Sequence, residues 1–211
     1  DVFSQASANM RFDKELDFKV GNGVFKKLWV SAPSSTTSSD GLGPLFNARS
    51  CQRCHLKDGR GNLPAPGEAP VSFFLRLSIP AETDTHKQLL QSRRAPVIPD
   101  PTYGTQLQNF SVQGIFAEGQ PTIRYSDIKV TLKGGQVVTL RKPTYGVTGL
   151  RYGPLHPRAR LSPRLTPQMI GVGLLEAILE EDILARADPD DRDGDGISGR
   201  PNRVWSVLEK K

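Results

Sequence analysis

Cys51-Gln52-Arg53-Cys54-His55 constrains this chain more than any other stretch, because it uses both of its cysteines. Two thiols three residues apart, followed at once by an imidazole, form the pattern of covalent haem c attachment. The thiols add to the two vinyl groups of one porphyrin, and the histidine ligates the iron. Other uses of such a sequence compete. A thioredoxin-like pair sits between a strand and a helix in a βαβ unit. Here the flanks, residues 43–50 and 56–61, read as one short amphipathic helix and a Gly-rich loop. Zinc needs two further ligands at close spacing, whereas His86 and His156 are distant and isolated. A structural disulfide beside an incidental histidine is the remaining alternative.

A haem would also suit the composition. Only 36% of the 211 residues are hydrophobic, and there are 17 prolines and 20 glycines. That implies a modest core and many loops, to which a porphyrin adds apolar filler. The net charge of +6 suits an acidic protein partner, such as a redox protein. The basic residues are scattered and no binding motif accompanies them, which argues against nucleic acid. No run of about 18 apolar residues is present, so no transmembrane segment is expected. Haem c is attached outside the bacterial cytoplasm, which makes the periplasm the expected location. The abrupt start at Asp1 reads as a processed terminus.

Along the chain, residues 12–30 carry Phe12, Leu16, Phe18, Val20, Phe25, Leu28 and Trp29, interrupted by Gly21-Asn22-Gly23. This predicts a short helix or turn, a break, then another helical turn. Residues 31–39 are a polar loop. Residues 44–55 are expected to form the helix that bears the Cys pair, with Pro44 near its first turn. Residues 71–79 read as a strand, residues 83–93 as a short helix, and residues 96–101 as a Pro-rich connection. Two β-rich runs, 128–132 and 137–140, flank Lys133-Gly134-Gly135-Gln136, so residues 123–145 predict a β-hairpin. The best helical pattern lies at 167–187: Thr166 is placed to cap it, Pro167 opens it, and Ile170, Leu174, Leu175, Ile178, Leu179, Ile183 and Leu184 form a stripe. The expected fold is therefore mainly α with loops and a β-hairpin insertion at about 120–146, in a single cytochrome c-like haem domain spanning 1–211.

What stands opposite His55 on the iron decides between an electron carrier and a site open to small molecules. Of Met10 and Met169, Met169 is the better candidate ligand, because a Pro-rich approach to a methionine is common in small cytochromes c. A core methionine at a helix start is the competing reading. His156, in Pro154-Leu155-His156-Pro157, reads as a surface histidine with a lesser claim as a ligand. A second motif is Asp188-Pro189-Asp190-Asp191-Arg192-Asp193-Gly194-Asp195-Gly196. Asp191, Asp193 and Asp195 match the start of a calcium loop. The twelfth position holds Asn202 rather than the bidentate Glu of an EF-hand. The alternative is an acidic turn held by backbone bonds and by Arg200 and Arg203.

Several stretches closely resemble the bacterial di-haem oxidoreductases, a family of di-haem peroxidase-like and thiol-oxidoreductase-like proteins. They are Gly41-Leu42-Gly43-Pro44-Leu45-Phe46-Asn47-Ala48-Arg49-Ser50-Cys51 with Cys54-His55-Leu56-Lys57-Asp58-Gly59-Arg60-Gly61, then Pro101-Thr102-Tyr103-Gly104-Thr105-Gln106-Leu107-Gln108, Gly171-Val172-Gly173-Leu174-Leu175-Glu176-Ala177-Ile178, and Asp193-Gly194-Asp195-Gly196-Ile197-Ser198-Gly199-Arg200-Pro201-Asn202. The resemblance covers nearly the whole chain. It implies an N-terminal, single-haem half whose partner is a second haem domain, on a C-terminal half or another chain. The family is similar in turn to the di-haem cytochrome c peroxidases, whose reactive haem has a Gln and, ten residues on, a Glu on its distal side. Gln108 and Glu118 stand at that spacing, which implies a peroxidatic role: Glu118 moves the proton and Gln108 orients the peroxide. A relative's Met following the Glu is Gly119 here. An ordinary loop glutamate is the alternative for Glu118, and a pure electron-transfer domain with Met169 as sixth ligand is the alternative for the whole.

Overall fold

The computed structural model describes residues 4–65 and 68–210, which fall into two units: residues 1–80 with 99–168, and residues 81–98 with 169–211. The expected mainly α, cytochrome c-like fold is overturned. Helix accounts for only 22% of the chain and strand for 24%, in several antiparallel sheets. The core of the first unit is built on strands.

That core begins with β2 (Phe73–Ser78), preceded in the chain by β1 (Leu45–Phe46). Alternation along β2 buries Phe73, Leu75 and Leu77, which pack with Tyr103 and Leu107. A period of two places alternate side chains on one face. Its antiparallel partner is β6 (Arg160–Leu165), in register Phe73↔Leu165 to Ser78↔Arg160. On its other edge β2 exchanges bonds with the segment at 105–107: Leu77 N–H donates to Thr105 O (2.8 Å) and Leu107 N–H to Leu75 O (3.0 Å).

The hairpin joins β4 (Gln120–Thr131) and β5 (Val137–Thr148), after the short β3 (Phe110–Ser111) that pairs with β1. Leu132 N–H donates to Gln136 O (2.8 Å) to close the turn. Gly134 and Gly135 adopt φ of 137° and 84° there, a region in which a Cβ is strongly disfavoured. At its base Ile123, Tyr145 and Val147 pack on the core, and Tyr145 stacks on Phe73 at 5.9 Å. Beyond that base both faces are largely exposed.

Two helical expectations need correction in this unit. Residues 12–26 form one helix, α1 (Phe12–Lys26), running straight through Gly21 and Gly23. Glycine costs about 1 kcal/mol in a helix and does not forbid it. The Cys-bearing helix does not start at Pro44. It is a single turn, α2 (Cys51–Cys54), because Leu45 and Phe46 are drawn into strand pairing and Asn47 turns inward. Asn47 Nδ2 donates to Leu107 O (2.7 Å) and to Asn109 Oδ1 (2.8 Å). Gln106 donates in turn to Asn47 Oδ1.

The second unit holds α3 (Asp84–Gln91), α4 (Val172–Glu176) and α5 (Glu180–Ala185). Thr83 caps α3 by accepting from His86 N–H (3.1 Å). The single helix expected at 167–187 is broken twice. Gly171 has φ 79° at the start of α4, and Leu179 is extended before α5. Thr166, expected as its cap, is engaged elsewhere. The predicted apolar stripe is largely exposed, Leu174 at 77% and Leu175 at 68%. Among the described residues no helix is long and apolar enough to cross a membrane.

Candidate functional site

One turn of helix sets the spacing of the Cys pair. Ser50 is buried and its Oγ accepts from Arg53 N–H (3.2 Å), so the helix begins at Cys51. His55 N–H donates to Cys51 O (2.9 Å). Residues three apart share a helix face, which places both thiols on the same side. Both are free: Cys51 is exposed and Cys54 half-buried. Cys54 Sγ donates to Val71 O (3.2 Å). Burial, and then the neighbouring Cys51, push its pKa up, so it stays a thiol at neutral pH.

His55 leaves the helix with φ −99° and ψ 73°. Its Nδ1 lies 2.6 Å from Pro167 O. A carbonyl oxygen can only accept, so Nδ1 carries a proton, and in the neutral ring that tautomer leaves the lone pair on Nε2. This is the arrangement of a metal-ligating imidazole whose orientation is fixed by an outer partner. The Phe25 ring stands 6.3 Å from that of His55. Nearby, a pocket of about 170 Å³ is walled by Leu28, Phe46, Val71 and Phe110, with Arg49 and Arg53 at its lining. Ligand pockets run to about 300–1,000 Å³, so this one accommodates only part of a large planar group. Two free thiols on one face, an imidazole oriented through its Nδ1 and an apolar wall fit a haem attached through Cys51 and Cys54 and ligated by His55.

The structure brings Gln108 and Glu118 together. Glu118 N–H donates to Gln108 O (3.0 Å), and Glu118 Oε2 accepts from Gln108 N–H (2.6 Å). The contact is to the glutamine's backbone, not its amide side chain. Glu118 is 8% exposed, and burial raises its pKa. The Gln108 N–H works against that rise and nearby Asp100 adds to it. At Gly119, a Cβ would come within 3.1 Å of Leu150 and 3.2 Å of Val147, so a larger residue there would require those side chains to shift.

Met169 lies in the second unit, 40% exposed, just ahead of α4. The acidic loop differs from its motif. Oxygens of Asp188, Asp191 and Asp193 lie within 4.8 Å of one another, while Asp195 Oδ1 accepts from Ile197 N–H (2.7 Å) in a local turn. Asp188 precedes the D-x-D-x-D repeat, so the motif alone passes over it. Asp188 also accepts from Arg192 N–H (2.8 Å), and Asp191 from Gly196 N–H (3.1 Å).

Sequence reasoning also passed over Asp100, a carboxylate 1% exposed. It accepts from Thr102 N–H (2.9 Å), Tyr103 N–H (3.0 Å) and His156 N–H (2.9 Å). The Asp-Pro-x-x-Gly order of residues 100–104 was the available signal for such a turn. Tyr103 continues the tie, donating its hydroxyl to Gly153 O (2.6 Å). Burial disfavours the charge of Asp100, but the N–H groups of His156, Tyr103 and Thr102 outweigh it and hold its pKa below the ordinary 3.8. A depressed pKa adds stability above the unfolded value, and that stability is lost as pH falls through the folded one. Asp100→Ala is expected to cost about 3 kcal/mol at pH 7, less below pH 4, by denaturant melts across pH. A pH-independent loss would contradict the role given to its charge.

Fold and site together show a Cys-x-x-Cys-His segment in a unit whose core is built on strands. A scan against protein families matches the whole chain, residues 1–211, to the family described as "Di-haem oxidoreductase, putative peroxidase", and the chain belongs to that family. Comparisons with curated proteins and with solved structures returned no match.

Proposed function

We propose that the chain is the peroxide-reducing haem c domain of a di-haem oxidoreductase. One observation carries the reading: His55, directly after two free thiols on one helix face, has its Nδ1 proton committed to Pro167 O, leaving Nε2 for a metal. When bound, the haem supplies the iron on which peroxide is held and through which electrons pass. The chain's own residues do the rest. Cys51 and Cys54 anchor the group and His55 orients it. Glu118, buried and with its pKa raised by that burial, is the carboxyl that holds or releases the proton as general acid–base. Its tie to Gln108 holds the 108–118 loop closed on itself.

Peroxide takes up two electrons and two protons and leaves as two waters. The electrons come from a second haem domain, since this chain has thiols for one covalent haem only. The net charge of +6 favours an acidic redox protein as the outside donor, and the periplasm is the compartment where such a haem is attached. The deciding assay is peroxide consumption by the haem-loaded protein with its second haem domain and an electron donor. A loaded protein that cycles between redox states but leaves peroxide untouched would instead be an electron carrier.

Calcium belongs to the same proposal, at Asp188, Asp191 and Asp193 rather than at Asp195. A cation at a hundredfold excess over its dissociation constant stabilises by about 2.7 kcal/mol, and chelation is expected to lower the melting temperature by about 5–10 °C. Identical melts with and without chelator exclude it.

A further inference from the structure

The geometry points to Thr166 as a positioning residue for His55, an inference that rests on the haem reading and deepens it. Thr166 is 4% exposed although it follows the last residue of β6. Three bonds hold it to three separate segments. Its hydroxyl donates to Cys54 O, its N–H donates to Ser72 O (3.2 Å), and its own carbonyl accepts from Gly61 N–H (3.0 Å). Cys54 O belongs to the last residue of a one-turn helix, where carbonyls have no partner within the helix. Thr166 supplies that partner.

The next carbonyl along, Pro167 O, is the one that receives the Nδ1 proton of His55. Proline has no N–H and a fixed φ, so one of the torsions between the anchored Thr166 and this carbonyl is already set, and the bond to His55 settles the remaining one. Two consecutive residues, Thr166 and Pro167, thus bond two consecutive residues, Cys54 and His55, and each bond fixes the register of the other. Gly61 shows how closely the latch is packed. A Cβ there would fall inside the radius of Thr166 Oγ1 and 2.5 Å from Ser72 Cβ. This accounts for a glycine at that place, although its φ is not positive.

Without the latch, the imidazole can place its proton on either nitrogen, and only one choice leaves Nε2 free. Outer partners of metal-binding histidines are worth about 10–100-fold. The test needs no haem. In the ¹⁵N-labelled chain with thiols reduced, imidazole nitrogen shifts report the tautomer of His55. Wild type is expected on Nδ1–H. Thr166→Val should lower the Nδ1–H to Nε2–H ratio about tenfold, and Thr166→Ser should keep it. Gly61→Ala, which displaces the hydroxyl while leaving it in place chemically, should act like Thr166→Val. An unchanged ratio in Thr166→Val, with the amide pattern of the hairpin intact, overturns the proposal. If that variant loses its fold, the same reading on Gly61→Ala decides.

Material made with a cytochrome-maturation system separates the two levels. A wild-type tautomer that shifts in Thr166→Val, in a chain that never gains haem mass, would refute the haem reading and leave the latch standing. A chain that gains haem mass, but whose haem-free form keeps its tautomer in Thr166→Val, would do the reverse.

Discussion

Produced alongside a working cytochrome-maturation system, the chain is expected to gain the mass of one haem, and Cys51→Ala with Cys54→Ala to lose that gain entirely. No other change is expected to have so complete an effect. The chain's cysteines number two, so no other thiol can substitute. Both are free, and burial keeps Cys54 in its thiol form. Single replacements leave one thioether and should give partial, more readily lost attachment. His55→Ala removes the ring nitrogen without touching the thiols. It should keep the added mass and change the optical spectrum, because the axial ligand sets the electronics of the iron. A wild-type chain that returns the bare polypeptide mass from such cells would end the haem reading and the peroxidase reading with it.

The second large effect is expected at Glu118, where stability and activity should move in opposite directions. Its raised pKa means that the fold disfavours its charge, chiefly by burial. The sign follows from linkage: its contribution to stability is fully present below the unfolded value of 4.5 and declines as pH rises through the higher folded one. Glu118→Gln removes the charge, and the amide oxygen can still accept from Gln108 N–H. The variant should therefore melt at or above wild type at pH 7, with the advantage vanishing below about pH 4. Peroxide turnover in the haem-loaded protein should nevertheless fall by about 10²–10⁴. A stable variant with undiminished turnover would reduce Glu118 to a residue that closes the 108–118 loop.

What the sequence made legible was chemistry that is local. Cys51, Cys54 and His55 need only adjacency to be read. The hairpin announced itself through β-branched runs on either side of Gly134 and Gly135, and β2 through its alternating apolar residues. Partnerships between distant segments were not legible. Asn47 leaves the helical pattern of 44–55 because Leu107 and Asn109 take its amide. Thr166 fails to cap a helix because Cys54 takes its hydroxyl. β6 was hidden by Pro163, which reads as a strand breaker but stands opposite Leu75 in the ladder. A proline fits there when its missing N–H faces away from the partner. Asp100 resembled any turn aspartate until its third donor, His156 N–H, 56 residues away, was seen. Of the site proposed here, the attachment residues were readable and the latch on His55 was not.

The long hairpin carries a further consequence. Pro121 sits in β4 and Pro143 in β5, and neither can offer an amide hydrogen to a strand arriving from outside. Fibril growth needs an unbroken row of such donors along an accessible strand. Each strand of this exposed ribbon has that row interrupted, with Lys129, Arg141 and Lys142 adding charge around it. The protein can thus hold a protruding pair of strands in solvent without offering a template on which further copies would stack.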